Sequence, residues 1–100
     1  MSTFVQGDTA PPLTGACTTG GQPADMTGAT GTVHVRKPDG TVLSRTATWT
    51  SQAQGAWSLT WQPGDLDTPG AYQAEVEVTY TGGAVQTFGP VAFYVQPQLA

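Results

Sequence analysis

The pattern of apolar and polar residues along the chain predicts short β-strands and almost no helix. The clearest stretch runs from Ala71 to Tyr80, where apolar and polar residues alternate position by position. Because successive side chains of a strand point to opposite faces of a sheet, this stretch predicts one face in a core and the other in water. Seven further stretches are also interpreted as strands: Thr3–Gln6, Leu13–Thr19, Thr30–Lys37, Thr41–Thr50, Ala56–Gln62, Ala84–Phe88 and Val91–Gln96.

Two-residue turn sequences that contain glycine or proline separate these stretches at strand-length intervals. Asp39-Gly40, Pro69-Gly70 and Gly82-Gly83 are examples. Such pairs favour tight turns, because glycine accepts left-handed backbone and proline fixes its own φ angle. We therefore predict two packed sheets in one domain over residues 1–100, with short terminal arms at about 1–6 and 96–100 that are loose or docked on a partner.

Charge and cysteine content argue against several classes of protein. The net charge is −4 with only three Lys and Arg residues, so the chain lacks the clustered basic side chains of a nucleic-acid binder. The single cysteine, Cys17, allows no internal disulfide. No apolar run approaches the roughly 18 residues of a membrane span, and the first residues do not read as a secretory signal. We expect synthesis in the cytoplasm without a signal peptide, and no membrane partner.

Residues 67–74, with the sequence Asp-Thr-Pro-Gly-Ala-Tyr-Gln-Ala, indicate the type of sandwich. In immunoglobulin domains a tyrosine near the start of the sixth strand bonds back to the upstream backbone. We interpret Tyr72 as this tyrosine and place Asp67 and Gly70 in the corner before it. Its hydroxyl is expected to bond to backbone in the 63–69 connection. The alternative is an ordinary turn followed by a packed tyrosine. The predicted fold is an all-β, immunoglobulin-like sandwich of seven to eight strands.

Five short segments, in order, resemble the N-terminal immunoglobulin-like domain of phage baseplate upper proteins. They are residues 6–13, 23–30, 37–42, 61–65 and 67–76, with the sequences QGDTAPPL, PADMTGAT, KPDGTV, WQPGD and DTPGAYQAEV. Two features depart from the family. After Phe88 the chain continues into Gly89-Pro90, where the family ending is longer and more polar, and the family domain usually begins a longer protein. The resemblance implies a virion structural part with a sandwich fold.

The function expected from this resemblance is binding within a phage particle. The partners would be other phage structural proteins, or the chain itself as an oligomer, at a tail or baseplate position, with capsid decoration as the second choice. The alternative is a carbohydrate-binding module, in which Trp49 or Tyr94 stacks on a glycan. The candidate partner contacts are Phe4, Val5, Trp49, Tyr94 and Leu99.

No set of residues in the sequence predicts catalysis, so we expect no enzymatic activity, no metal and no cofactor. Cys17 and His34 lie on different predicted strands, and zinc would need three or four such ligands. Asp65 and Asp67 have a spacing that could present carboxylates to Ca²⁺, but turn capping is the favoured interpretation. Polar residues Glu75 and Glu77 are interpreted as a solvated strand face, and Trp57 and Trp61, which share a face with Leu59, as core.

Overall fold

The computed structural model describes residues 2–99, and every regular element in that range is a β-strand. No helix of these residues is long and apolar enough to cross a membrane. The all-β sandwich predicted from the sequence is confirmed. The strands are β1 (Ser2–Val5), β2 (Leu13–Ala16), β3 (Thr18–Thr19), β4 (Gln22–Pro23), β5 (Thr30–Arg36), β6 (Val42–Thr46), β7 (Thr48–Ser51), β8 (Ala56–Leu59), β9 (Gly70–Thr79) and β10 (Val85–Gln96).

The strands form two sheets and a small hairpin. The larger sheet has the order β1-β10-β9-β5-β6, the smaller sheet has the order β2-β8-β7, and β3 pairs with β4. Neighbouring strands are antiparallel except for β1, which runs parallel to β10. Strands β2 and β5 to β10 therefore take the places of strands B, C, C′, D, E, F and G of a variable-type immunoglobulin domain. The eight strands of the two sheets agree with the predicted seven to eight.

Four predicted strands have different limits in the structure: two merge into one strand, and two are each split. Ala84–Phe88 and Val91–Gln96 belong to one strand, β10, with a bulge at Gly89-Pro90. The predicted strand 41–50 is split at Ala47, where the buried chain crosses from the larger sheet to the smaller one. The predicted strand 13–19 is likewise split at the buried Cys17. Each change is a local kink or crossover, which the alternation of apolar residues does not encode.

Apolar side chains of both sheets fill one core. Strand β9 shows the predicted alternation, since Tyr72, Ala74, Val76 and Val78 are buried and the residues between them are exposed. Trp57 and Leu59 enter the core from the opposite sheet. Trp61 is also buried, so the prediction of two core tryptophans agrees with the structure.

The predicted N-terminal arm and the surface contact at Phe4 are wrong. β1 pairs with β10 over Phe93–Gln96, and Phe4 is only 4% exposed. Its ring lies edge-on to Trp61 and Phe93, with centroids 5.6 and 5.3 Å away. The segment is held on the sandwich because Phe4 is buried in this aromatic cluster and the backbone of β1 is paired with β10. Val5 is half-buried, and Met1 and Ala100 of the predicted arms lie outside the described residues.

The corner before β9 is held by the Tyr72 side chain. Its hydroxyl donates a hydrogen bond to Thr68 O at 2.7 Å and accepts one from Thr68 N at 3.2 Å. Thr68 lies in the 63–69 connection, where the sequence analysis places the partner. Burial raises the pKa of the Tyr72 hydroxyl. Gly70 has φ of +135°, and a Cβ there would lie 2.8 Å from Pro38, so the corner requires glycine.

Both aspartates of the preceding loop have protein partners. Asp67 accepts a hydrogen bond from the Lys37 ammonium at 2.8 Å, and this bond lowers the pKa of the Asp67 carboxyl. Asp65 is buried, pairs with Arg45 at 2.7 Å and accepts a bond from Gln62 N at 2.9 Å. The bond to Gln62 N is the turn-capping role that was favoured for Asp65 over Ca²⁺ binding.

Candidate functional site

Charged and polar side chains gather on the outer face of the five-stranded sheet. In the ladder between β5 and β9, His34 lies directly opposite Glu75 and Arg36 lies opposite Gln73. These positions alternate with the buried valines of the same strands, so their side chains point away from the core. We call this surface, with residues His34, Arg36, Ser44, Gln73, Glu75 and Glu77, the polar face.

Cross-strand hydrogen bonds orient most of the polar face. His34 Nδ1 lies 2.7 Å from Ser44 Oγ on β6, and His34 Nε2 lies 3.5 Å from Glu77 Oε1 on β9. The guanidinium of Arg36 donates to Gln73 Oε1. Ser, His and Glu in one row are the residue types of a hydrolytic triad, which the sequence analysis missed because they come together only through strand register.

The row of Ser44, His34 and Glu77 has the residue types of a catalytic triad but not the burial and short hydrogen bonds that a triad normally has. The side chains of His34 and Glu77 are 32% and 47% exposed, so water screens any charge that develops there. The separation of 3.5 Å to Glu77 is also long for an orienting hydrogen bond. Cross-strand pairing of polar side chains on a solvated sheet explains the geometry without catalysis.

Glu75 differs from the other members of the polar face. Within residues 2–99 its carboxylate forms no hydrogen bond and no ion pair within 4 Å, although it lies opposite His34. On its other side, the bulge at Gly89-Pro90 interrupts the pairing between β9 and β10. Gly89 has φ of +118°, and a Cβ there would lie 3.3 Å from Glu75 Cα. Glycine therefore allows β10 to pass close to β9 at this point.

The bulge and the strand register create a shallow depression beside Glu75. Its volume is about 280 Å³, and it is lined by His34, Arg36, Val42, Gln73, Glu75 and Pro90, together with Ala74. Val42 on β6 and Pro90 on β10 supply apolar walls, while Glu75 and Arg36 supply charge. Small-molecule sites are usually enclosed and about 300–1,000 Å³ in volume. An open depression near the lower limit of that range has room for one side chain of a larger partner.

The other predicted contact residues do not form one surface. Trp49 is half-buried on the smaller sheet, and its indole Nε1 donates to Ala29 O at 2.9 Å. Tyr94 lies on the larger sheet and is 41% exposed, and Leu99 is fully exposed beyond the end of β10. Within residues 2–99, Tyr94 is the one exposed aromatic residue. These side chains do not form the exposed row of aromatics that a glycan platform needs.

The remaining candidate groups for chemistry are separated. Cys17 is fully buried, and burial raises the pKa of its thiol, whereas His34 lies on the outer face of the larger sheet. Among the described residues, no group of three or more His, Cys, Asp and Glu side chains is arranged to hold a metal ion.

Comparisons with known proteins identify the fold and no family. No protein-family model and no curated protein matches the chain. The crystal structure of CopC from Methylosinus trichosporium OB3b matches 99% of this chain and 86% of its own, with a TM-score of 0.60 and 12% sequence identity. At this identity the likeness shows the sandwich fold alone.

The functional prediction drawn from the sequence is wrong. The match over the whole chain is to CopC, and neither a phage virion protein nor a carbohydrate-binding module is among the matches. The five segments that suggested the virion role are mostly turn sequences rich in Gly, Pro and Asp. Many sandwiches need such turns, and the same fold carries unrelated functions. The family resemblance itself stays a prediction.

Proposed function

We propose that this protein is a non-enzymatic binding module that receives a basic side chain of a partner protein in the depression beside Glu75. The observation that carries the proposal is the carboxylate of Glu75, which has no hydrogen-bond or ion-pair partner among residues 2–99 although its neighbours on the polar face contact one another. His34 bonds Ser44 and approaches Glu77, and Arg36 donates to Gln73. A carboxylate without a protein partner on an oriented surface is available to bind an ammonium or guanidinium group.

The walls of the depression suit the stem of a basic side chain. Lysine and arginine carry three or four methylene groups, which cover apolar surface while the charged end reaches a polar partner. Val42 and Pro90 provide that apolar surface on β6 and β10, with Glu75 between them on β9. The volume of about 280 Å³ is sufficient for one such side chain.

The charge of the whole molecule supports a basic partner. The chain carries −4 at neutral pH. A protein of that sign attracts positively charged surfaces and speeds their encounter. Arg36 lies at the same depression, but its bond to Gln73 directs its guanidinium to that side chain.

Nuclear magnetic resonance titration with a blocked single amino acid tests this proposal. The probe is N-acetyl-lysine N′-methylamide, and the control probe is the norleucine analogue, which has a similar stem without the charge. We expect shifts of the backbone amides at Gln73–Glu75 and His34 that grow with probe concentration, with the lysine probe only. Weak affinity is expected, because one ion pair at a solvated surface contributes at most about 1 kcal/mol.

Two variants with the same change in charge distinguish binding in the depression from a general attraction of the probe to the charge of the polar face. Glu75→Gln should abolish the shifts. Glu77→Gln should preserve them, since Glu77 lies outside the lining of the depression and approaches His34. The proposal fails if the lysine probe shifts these amides no more than the norleucine analogue does, or if both variants weaken the titration equally.

A further inference from the structure

The two edges of the sandwich differ in charge. From Val78 to the C-terminus the sequence contains no charged residue, and none occurs before Asp8 or between Thr9 and Ala24. These segments contain β1, β2 and β10. The opposite edge, at β6, carries Arg45 pointing inward to the buried Asp65, with 2.7 Å between Nη2 and Oδ1. Inward charge of this kind keeps an edge strand from pairing with other chains.

β1 and β2 lie on the same side of the molecule. They are the outer strands of the two sheets, and the groove between them, about 440 Å³, is lined by Thr3, Phe4, Leu13 and Thr14, with Pro11 and Pro12. β1 covers only residues 93–96 of β10, and the bulge at Gly89-Pro90 interrupts the strand before them. The outer edge of β10 from Val85 to Phe88 is therefore a regular strand edge with no strand partner among residues 2–99. We call β1, β2 and this part of β10 the uncharged side.

Apolar exposure is concentrated on β10 and on the residues just after it. Of the five large hydrophobic residues that are exposed in the described chain, four lie on β10 or just after it: Val85, Val91, Tyr94 and Leu99. Charged residues are depleted from the cores of protein interfaces, and free strand edges with apolar side chains pair readily with other strands.

We infer that the uncharged side is the interface of a homodimer, in which the free edge of β10 pairs with the same edge of a second copy. Two copies that each carry −4 repel one another over most of their surface, and the uncharged side offers an approach that keeps the acidic side chains apart. Self-pairing of one edge gives a closed two-fold assembly, the commonest symmetry of soluble oligomers.

The size of this side is sufficient for a stable dimer. The molecule measures 47 × 22 × 21 Å between its Cα extremes. A long side of these dimensions spans roughly 1,000 Å² at most, so a standard interface of about 800 Å² on each partner would cover most of it. The interface is separate from the depression beside Glu75, so the inference does not depend on the proposed function.

Sedimentation velocity from micromolar to millimolar concentration tests the dimer. We expect the mass to rise with concentration toward twice the 10.3 kDa of the monomer. Val85→Lys should raise the dissociation constant at least about tenfold, because it places a charged side chain without a partner in the interface of each copy. Thr46→Lys is the control, since Thr46 is also an exposed β-branched residue and lies on the opposite edge strand, outside the lining of the depression. It should dimerise like the wild type.

Hydrogen exchange of the unmodified protein gives an independent measurement. Amides of residues 85–88 that point to the free edge should exchange more slowly at high protein concentration, whereas amides of β6 should not change. A monomer at every concentration would overturn the inference. So would a dimer that Val85→Lys leaves intact, or edge amides whose exchange does not depend on concentration.

Discussion

The Tyr72 hydroxyl offers a sharp test of how the corner stabilises the fold. Tyr72→Phe removes two hydrogen bonds, one donated to Thr68 O at 2.7 Å and one accepted from Thr68 N at 3.2 Å. The ring remains stacked on Phe93, with centroids 5.2 Å apart, so the change creates no large cavity. Each bond contributes about 0.5–1.5 kcal/mol net. Water can reach the half-buried Thr68 in the variant, so we expect a loss of about 1–2 kcal/mol.

Urea unfolding followed by tryptophan fluorescence measures this loss. With a slope of about 1–3 kcal/mol per molar for a small protein, the midpoint should fall by about 1 M. Tyr80→Phe is the matched control, because it removes one exposed bond, to Gln86 at 2.7 Å, and should cost less than about 0.5 kcal/mol. If Tyr72→Phe is no more destabilising than Tyr80→Phe, the corner does not stabilise the fold as argued.

Three further predictions follow from buried, charged and hydroxyl groups. Trp61→Ala should cost about 3–5 kcal/mol in urea unfolding, because Trp61 is buried among aromatic rings, and a loss below about 1 kcal/mol would contradict this. The bond from Lys37 lowers the folded pKa of Asp67, so its stabilisation is present above the unfolded value of about 4 and is lost as pH falls through the folded pKa. Acid titration of Asp67→Asn should therefore show a smaller decline in stability than the wild type, and an identical decline would contradict the pairing. Wild-type protein should hydrolyse p-nitrophenyl acetate no faster than Ser44→Ala, and faster hydrolysis would assign catalysis to the row with His34.

The sequence was sufficient to predict the features that are set by residues close together in the chain, such as the alternation along β9 and the turn before it. The alternation over β9 and the turn before it were sufficient to place Tyr72 in the core and its hydroxyl near the upstream loop. Trp57 and Trp61 were placed correctly because each shares a strand face with Leu59. These signals act over a few residues, where period and turn chemistry are strong.

The rest depends on contacts between residues that are far apart in the chain. Phe4 looked like part of an arm because nothing near it in sequence reveals that β1 pairs with β10, about ninety residues later. Gly89-Pro90 looked like the end of a strand, although it forms a bulge within β10. The depression beside Glu75 and the row through His34 arise from strand register, which a one-residue shift would remove.

Selection from a yeast-displayed library of random peptides tests most directly the claim that Glu75 receives a basic side chain. The wild-type protein is used for selection, and each enriched peptide is then measured against Glu75→Gln and Glu77→Gln. We predict that enriched peptides carry an excess of lysine or arginine, and that Glu75→Gln weakens their binding by up to about fivefold, the worth of one solvated ion pair, while Glu77→Gln does not. Enriched peptides without a basic excess, or peptides that bind Glu75→Gln as tightly as the wild type, would contradict the claim.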